Sequence, residues 1–178
     1  MTPQRFVVYE YDLRGPLPRI GAEPNVEVRL ATSDDLKRLR QANPSLPVEF
    51  FYDEIYGLST CFLTFVQGKL AKIDWESLPS EFNRHFHLGP GEAEVFQIYI
   101  LPEFRRVYLG RAFGRISTHH RLSWLKNHSY EREYDRVARS NRVLCAVLAR
   151  YGYRRVGAIT HLAFYCPKFK RRNDTRSQ

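Results

Sequence analysis

Apolar residues alternate with polar ones in several short segments of the chain, which is the pattern of half-buried β-strands. The clearest segments are residues 6–13, 26–30, 60–66, 69–75 and 93–101. Gln67-Gly68 separates the third segment from the fourth and predicts a β-hairpin. Glycines and prolines between residues 14 and 24 predict an irregular linker.

Spacings of three and four residues between apolar positions predict three helices. The first begins at a cap formed by Thr32 or Ser33 and ends at Asn43-Pro44. The second is expected at residues 109–127 and the third at 141–151. The expected buried positions of the three helices are Leu36, Leu39 and Ala42; Leu109, Phe113, Ile116 and then His120 or Trp124; and Val143, Leu144, Val147 and Leu148.

Residues 93–113 combine a strand, a turn marked by proline, a basic loop and the start of the second helix. Backbone N–H groups at a helix N-terminus have no partners inside the helix, and the helix dipole favours an anion beside them. Arg105, Arg106 and Arg111 add positive charge, and Gly110 allows a ligand to approach the backbone closely. The segment therefore predicts a site for phosphate groups.

Residues 100–113, Ile-Leu-Pro-Glu-Phe-Arg-Arg-Val-Tyr-Leu-Gly-Arg-Ala-Phe, resemble the acyl-CoA loop of the GCN5-related N-acetyltransferase (GNAT) superfamily. The family's shorter signature begins with Gln or Arg and has two small residues, and it falls on residues 105–110. Tyr108 stands in the place of the first glycine and Gly110 in the place of the second.

Two further segments resemble the family in the expected order. Asn141, followed by Gly152-Tyr153, is similar to the helix that begins beside the pantetheine arm and the turn into the next strand. Residues 26–36 are similar to the first strand and the capped first helix. The N-terminal strand and Trp75 most resemble members from bacterial polysaccharide gene clusters.

The resemblance implies a single α/β domain over residues 1–178, with a mixed, mostly antiparallel sheet of about seven strands flanked by helices. Residues 1–24 would supply an N-terminal strand and linker, and residues 168–178 a basic flexible tail.

Further strands are expected at residues 133–138, 153–158 and 160–166. In such a fold the strand at 93–101 splays from the one at 133–138, and the cleft between them takes the pantetheine arm.

The implied reaction transfers an acetyl group from acetyl-CoA, or another acyl group from its acyl-CoA, to an amine. This reaction needs a base for the amine, a donor for the developing oxyanion and an acid for the leaving thiolate. Glu94 is the candidate base, because it precedes Arg105 by eleven residues, as the base glutamate does in the histone-acetylating branch. A bulge in its strand would change the face on which Glu94 lies.

Leu148 occupies the position of the tyrosine that serves as the acid in many relatives. Tyr151, Tyr134 and His161 are the candidate substitutes, with water as the alternative. The backbone of residues 98–100 would pair with the pantetheine amides and supply an oxyanion N–H. The residues expected to bind the acyl-CoA are Ile98, Tyr99, Ile100, Arg105, Arg106, Val107, Tyr108, Leu109, Gly110, Arg111 and Asn141.

With 178 residues, 43% of them hydrophobic, the chain is suited to one domain with a sizeable core. No segment approaches the roughly 18 apolar residues of a membrane span, and no secretory signal is recognisable. The chain has three cysteines, Cys61, Cys145 and Cys166, and they lie far apart in the sequence. An odd count without short spacings favours a reducing cytoplasm over a disulfide framework. His85 and His87 have no evident third ligand in the sequence, so no metal is expected.

The net charge of +9, of which the tail contributes +4, favours a polyanionic partner. Coenzyme A phosphates fit this charge, with an amino sugar or another small amine as the acceptor. An acyl carrier protein is an alternative partner, and the residues that would contact it are Arg105, Arg106, Arg111 and Arg115. In that case the aromatic segment 47–58, otherwise an acceptor wall or core, would hold a longer acyl chain. A non-enzymatic module that binds nucleic acid is a third interpretation, and a homodimer is one option for assembly.

Overall fold

Strands of the described residues form one sheet. The structure, a computed structural model, describes residues 4–21, 23–83, 85–105 and 113–161. The strands are β1 (Gln4–Asp12), β2 (Val26–Leu30), β3 (Thr60–Val66), β4 (Lys69–Ser77), β5 (Glu92–Ile100), β6 (Arg132–Ala138) and β7 (Arg154–His161). The seven strands lie in the order β2-β3-β4-β5-β6-β1-β7, and every neighbouring pair is antiparallel except β5 and β6. The predicted mixed, mostly antiparallel sheet is confirmed.

Helices cover both faces of this sheet. Among the described residues they are α1 (Ser33–Ala42), α2 (Tyr52–Tyr56), α3 (Phe113–Asn127) and α4 (Arg142–Tyr151), with short 3-10 turns at Val48–Phe51 and Pro102–Phe104. On one face, α1 and α2 pack against Ile73 and Trp75 of β4. On the other face, α3 and α4 pack against β1 and β6 through a second apolar cluster. In the described part of the chain, no helix is long and apolar enough to cross a membrane.

Local signals in the sequence determine several of these elements. Thr32 caps α1 in a reciprocal arrangement, since its Oγ1 accepts from the Asp35 N–H at 3.1 Å and its own N–H donates to Asp35 at 3.0 Å. Gln67 and Gly68 both have positive φ, 52° and 74°, as the tight turn between β3 and β4 requires. The predicted cap and hairpin are confirmed, whereas Ala42 is exposed rather than buried.

The N-terminal strand joins the C-terminal half of the sheet. β1 lies between β6 and β7 and pairs with both, with Val8 opposite Arg136 on one side and Gly157 on the other. Residues 13–25 then lead to β2 at the far edge of the sheet. The predicted strand is confirmed, and the described residues of the predicted linker form neither helix nor strand.

The buried face of α3 differs from the prediction. Ser117, Arg121, Leu122 and Leu125 are buried, whereas His120 is exposed. The predicted stripe through Ile116 and then His120 or Trp124 therefore lies about one residue, or 100°, from the true one, although Ile116 and Trp124 are half-buried and Trp124 packs against the core. The reason is that α3 buries a polar pair, Ser117 and Arg121, which an apolar pattern does not identify. Leu109 and the side chain of Phe113 lie outside the described residues.

Two predictions for the C-terminal part were wrong in part. In α4, Leu148 is buried and Leu144 half-buried, but Val143 and Val147 are 51% and 38% exposed. In β7, one continuous strand runs through the break expected between residues 158 and 160. Pairing of β7 with β1 as far as His161 keeps it extended. The predicted remainder of the last strand, residues 162–166, lies outside the described residues.

Candidate functional site

The parallel strands β5 and β6 separate after three residues of pairing. Residues 92–94 pair with residues 132–134, and the last described pair joins Glu94 to Tyr134. Beyond this pair, β5 continues beside β4 while β6 continues beside β1. The predicted splay is therefore confirmed, and it opens a wedge in the middle of the sheet.

A bulge in β5 decides which side chains share a face near the wedge. Gln97 lies opposite Trp75, but Val95 lies opposite Glu76, so Phe96 is the extra residue. Because paired residues lie on the same face, Glu94 shares a face with Gln97 rather than with Ile98. Glu94 therefore faces the side of α1 and α2, and Ile98 faces the side of α3.

The wedge forms a cleft of about 190 Å³. Its two long walls are residues 95–98 of β5 and residues 135–138 of β6. Phe6 of β1 and the start of α4, at Asn141 and Leu144, complete the wall. Most of the described residues that line the cleft are thus apolar, and Asp135 and Arg136 are the charged ones among them.

Asn141, one of the predicted binding residues, lies where α4 begins at the wall of the cleft. It is the N-cap of α4, and its Oδ1 accepts a hydrogen bond from the Leu144 N–H at 3.1 Å. It also lines the cleft. The end of α4 with partially positive N–H groups therefore points toward the β6 side of the wedge.

The end of β5 leads to the predicted phosphate loop. Ile98, Tyr99 and Ile100 pair with β4, so the opposite edge of this strand faces the cleft. Arg105 is exposed and folds back on the strand: its Nε donates to the Ile100 carbonyl at 3.1 Å, and its guanidinium lies 5.4 Å from the centre of the Tyr99 ring. The other loop residues of the predicted site lie outside the described residues, and they are Arg106, Val107, Tyr108, Leu109, Gly110 and Arg111.

The predicted base, Glu94, lies in β5, whereas the predicted acid, Tyr151, lies at the end of α4. Glu94 is fully buried, opposite Ser77 and beside Tyr134. Tyr151 is buried at the end of α4, with its ring 6.0 Å from that of Tyr11, and burial raises the pKa of its hydroxyl. Neither residue is among the described residues that line the cleft. Their roles remain predictions.

Tyr134 and His161 are the other candidate acids. Tyr134 is the β6 member of the last β5–β6 pair, and its hydroxyl donates to Glu92 Oε1 at 2.9 Å. The side chain of His161 lies outside the described residues.

Aromatic side chains adjoin the cleft on the face of α2. Phe96, which lines the cleft, has its ring 5.5 Å from Tyr52, 5.1 Å from Tyr56 and 6.1 Å from Phe82. Tyr52 belongs to the core, whereas Tyr56 is half-buried and Phe82 is 47% exposed. The aromatic segment therefore supplies both core and a surface beside the cleft.

A buried polar cluster lies beneath α3, and the sequence pattern did not predict it. Lys72 forms an ion pair of 2.7 Å with Asp74, and Ser117 accepts from Lys72 at 2.6 Å and donates to Asp74 at 2.8 Å. The same α3 face contributes Arg121. Lys72, Asp74 and Glu76 alternate with Ile73 and Trp75, so the pattern resembles a strand with one face in water.

Arg121 is the centre of this cluster. Its guanidinium donates to Glu133 at 2.8 and 3.1 Å and lies 2.9 Å from Glu76. The Tyr153 hydroxyl donates to the same Glu133 carboxylate. Burial raises the pKa of Glu76 well above its ordinary value, against the opposing effect of Arg121. Within the described residues, no group of His, Cys, Asp and Glu side chains is arranged to hold a metal ion.

No protein-family model matches the chain, and no curated protein matches it. Solved structures do match. A GNAT-family protein from Novosphingobium aromaticivorans has a TM-score of 0.59 and 15% identity, over 90% of this chain and 63% of its own length. A GCN5-related N-acetyltransferase from Kribbella flavida has a TM-score of 0.56 and 13% identity, over 88% of this chain and 57% of its own.

A third structure, an aminoglycoside N-acetyltransferase in complex with coenzyme A, has a TM-score of 0.55 and 14% identity, over 83% of this chain and 97% of its own. The chain thus spans less than two thirds of the first two structures and nearly all of the third. Together with the splayed β5–β6 pair, these matches show that the chain has the fold of the GCN5-related N-acetyltransferase superfamily.

Proposed function

We propose that the chain is an acyltransferase that moves an acetyl group from acetyl-CoA to the amine of a small molecule such as an amino sugar. The observation that carries this proposal is the wedge between β5 and β6, which opens from the Glu94–Tyr134 pair toward the loop before α3. An extended arm fits such a wedge, because the free edge of a strand offers backbone hydrogen bonds to a ligand with amide groups.

The donor would lie along β5, with its phosphates at the loop. Ile98, Tyr99 and Ile100 would offer their free backbone edge to the pantetheine amides. Arg105, with the loop residues up to Arg111, would meet the phosphates, because charge-assisted bonds from arginine to phosphate are strong. The N-terminus of α4 at Asn141 would border the arm on the β6 side.

The acceptor would approach from the face of α1 and α2. Glu94 lies on that face, and as the base it would accept a proton from the amine, directly or through water. Phe96, Tyr56 and Phe82 offer rings on the same side, against which the apolar face of a sugar ring would pack. The choice of an amino sugar rests on the resemblance to proteins from polysaccharide clusters.

Calorimetry with acetyl-CoA tests the donor site. Gly110→Trp should abolish binding by blocking approach to the backbone, and Arg105→Ala should weaken it by about 1–3 kcal/mol. Arg14→Ala is the matched control, because this exposed arginine follows the end of β1 that is remote from Phe6 and the cleft. Unchanged coenzyme A affinity in both loop variants would refute the donor site.

An acyl carrier protein is the second candidate donor, favoured by the exposed Arg105 and Arg115 on either side of the loop. A longer acyl-CoA and a nucleic-acid fragment in the same calorimeter separate the three interpretations. Tighter binding of the longer acyl-CoA would favour carrier-protein chemistry. Binding of the nucleic acid alone would favour a non-enzymatic module.

A further inference from the structure

Asp135 lies at the narrow end of the cleft. Tyr134 forms the last described pair with β5, so Asp135 is the first residue of β6 beyond the point where the strands separate. It lines the cleft together with Val95 and Phe96, and it is only 6% exposed. Asp135 is therefore a carboxyl group that is almost fully buried and still borders the space assigned to the donor.

Charged and titratable groups face Asp135 from every neighbouring element. Arg121 lies on α3, Glu76 on β4, Tyr9 opposite Asp135 on β1, and Tyr153 just before β7. On β6 itself the neighbours are Glu133 and Arg136, and Arg155 of β7 pairs with Tyr9. These groups are the electrostatic surroundings that decide the charge of the carboxyl.

The positive charges of the cluster are already engaged by other carboxylates. Lys72 is paired with Asp74, and Arg121 is held by Glu133 through two hydrogen bonds. A further carboxylate in such a dry site would be a buried charge without its own cation, which is costly. Burial raises the pKa of Asp135 to about 7, although Arg121 acts in the opposite direction. Asp135 can therefore hold a proton in the neutral range.

The position of this proton matches a need of the proposed reaction. If the donor phosphates lie at the loop and the arm runs back along β5, the thioester reaches the narrow end of the wedge. When the amine nitrogen bonds to the carbonyl carbon and the carbon–sulfur bond breaks, its electron pair goes to sulfur. Sulfur then needs a proton, and Tyr151, the acid expected from sequence, is packed between α4 and β1.

We infer that Asp135 is the acid that protonates the leaving thiolate. This inference rests on the proposed acyltransferase function. The carboxyl gives its proton to sulfur, which leaves as the thiol of coenzyme A, and becomes a carboxylate. The proton lost by the amine passes to Glu94 and then to water, and water returns a proton to Asp135 after the product leaves. Atoms and charges balance over the cycle.

The test uses Asp135→Asn, which keeps the size of the side chain but cannot donate an acidic proton. Release of the coenzyme A thiol from acetyl-CoA is measured with glucosamine as the acceptor and, separately, with water. The turnover number should fall by about a hundredfold or more, while calorimetric affinity for coenzyme A stays within about twofold. The wild-type rate should decline as the pH rises through about 7, because the protonated form is lost, and this decline should be absent in the variant.

Asp12→Asn is the matched control, because Asp12 is a carboxylate paired with the exposed Arg14 at the end of β1 and does not line the cleft. It should keep the pH-dependent decline, whatever it does to stability. Equal rates and pH profiles in wild type and Asp135→Asn would overturn the inference alone. Binding of coenzyme A outside the cleft, or no binding, would overturn both the inference and the proposed function.

Discussion

Arg121→Leu removes the guanidinium at the centre of the buried cluster. In the native protein this side chain is 1% exposed and contacts Glu133 at 2.8 Å and Glu76 at 2.9 Å, with Asp74 at 3.9 Å. Leucine would leave the Glu133 carboxylate without a cation in a site that water does not reach. Either the carboxylate remains charged in a medium that solvates it poorly, or it takes up a proton, and both outcomes cost free energy.

The expected magnitude follows from the burial of both partners. Breaking a buried ion pair by removing one partner typically costs about 3–5 kcal/mol of the free energy of unfolding. A whole domain has only about 5–15 kcal/mol. With a urea dependence of about 2 kcal/mol per molar, the midpoint of unfolding should fall by roughly 2 M.

Urea unfolding followed by the fluorescence of Trp75 and Trp124 measures this midpoint. Arg14→Leu is the matched control: Arg14 also binds a carboxylate, that of Asp12, but in solvent, and exposed pairs contribute little. Adding Glu133→Gln to Arg121→Leu should recover part of the loss, because the uncompensated charge is removed. Equal midpoints for Arg121→Leu and Arg14→Leu would show that the buried cluster does not stabilise the fold.

Two further predictions concern the carboxyl groups of Asp135 and Glu94. A buried acid with a raised pKa destabilises the fold increasingly as pH rises from its unfolded value, near 4, to its folded value, about 7 for Asp135. Relative to wild type, Asp135→Asn should therefore gain about 1–4 kcal/mol in the free energy of unfolding between pH 4 and pH 8, and a difference that does not change with pH would contradict this. Glu94→Gln should lower the turnover number at least about tenfold and leave acyl-CoA affinity nearly intact, and its rate relative to wild type at the same pH should partly recover at high pH, where the amine is already neutral. Full activity of this variant at pH 7 would make Glu94 structural.

Short-range chemistry made much of the fold predictable. The capping box at Thr32 and the turn at Gln67-Gly68 each depend on a few adjacent residues, and both occur as expected. The separation of β5 from β6 depends on distant parts of the chain, and only the resemblance to a family predicted it.

Contacts between distant residues explain what the sequence did not predict. The bulge at Phe96 arises from pairing with β4, and it changes the face of Glu94. Arg121 is buried because Glu133 and Glu76 lie beneath α3, and periodicity alone would place an arginine in water. Asp135 was overlooked for the same reason, since only the structure shows that it borders the cleft.

The structure of the protein in complex with acetyl-CoA tests the central claim most directly. The proposed function predicts the pantetheine arm between β5 and β6, with its amides on the free edge of residues 98–100 and its phosphates at residues 105–111. The thioester sulfur should lie within hydrogen-bond distance of Asp135. An arm bound elsewhere, or a cleft that remains empty at saturating acetyl-CoA, would contradict the assignment of this wedge as the donor site.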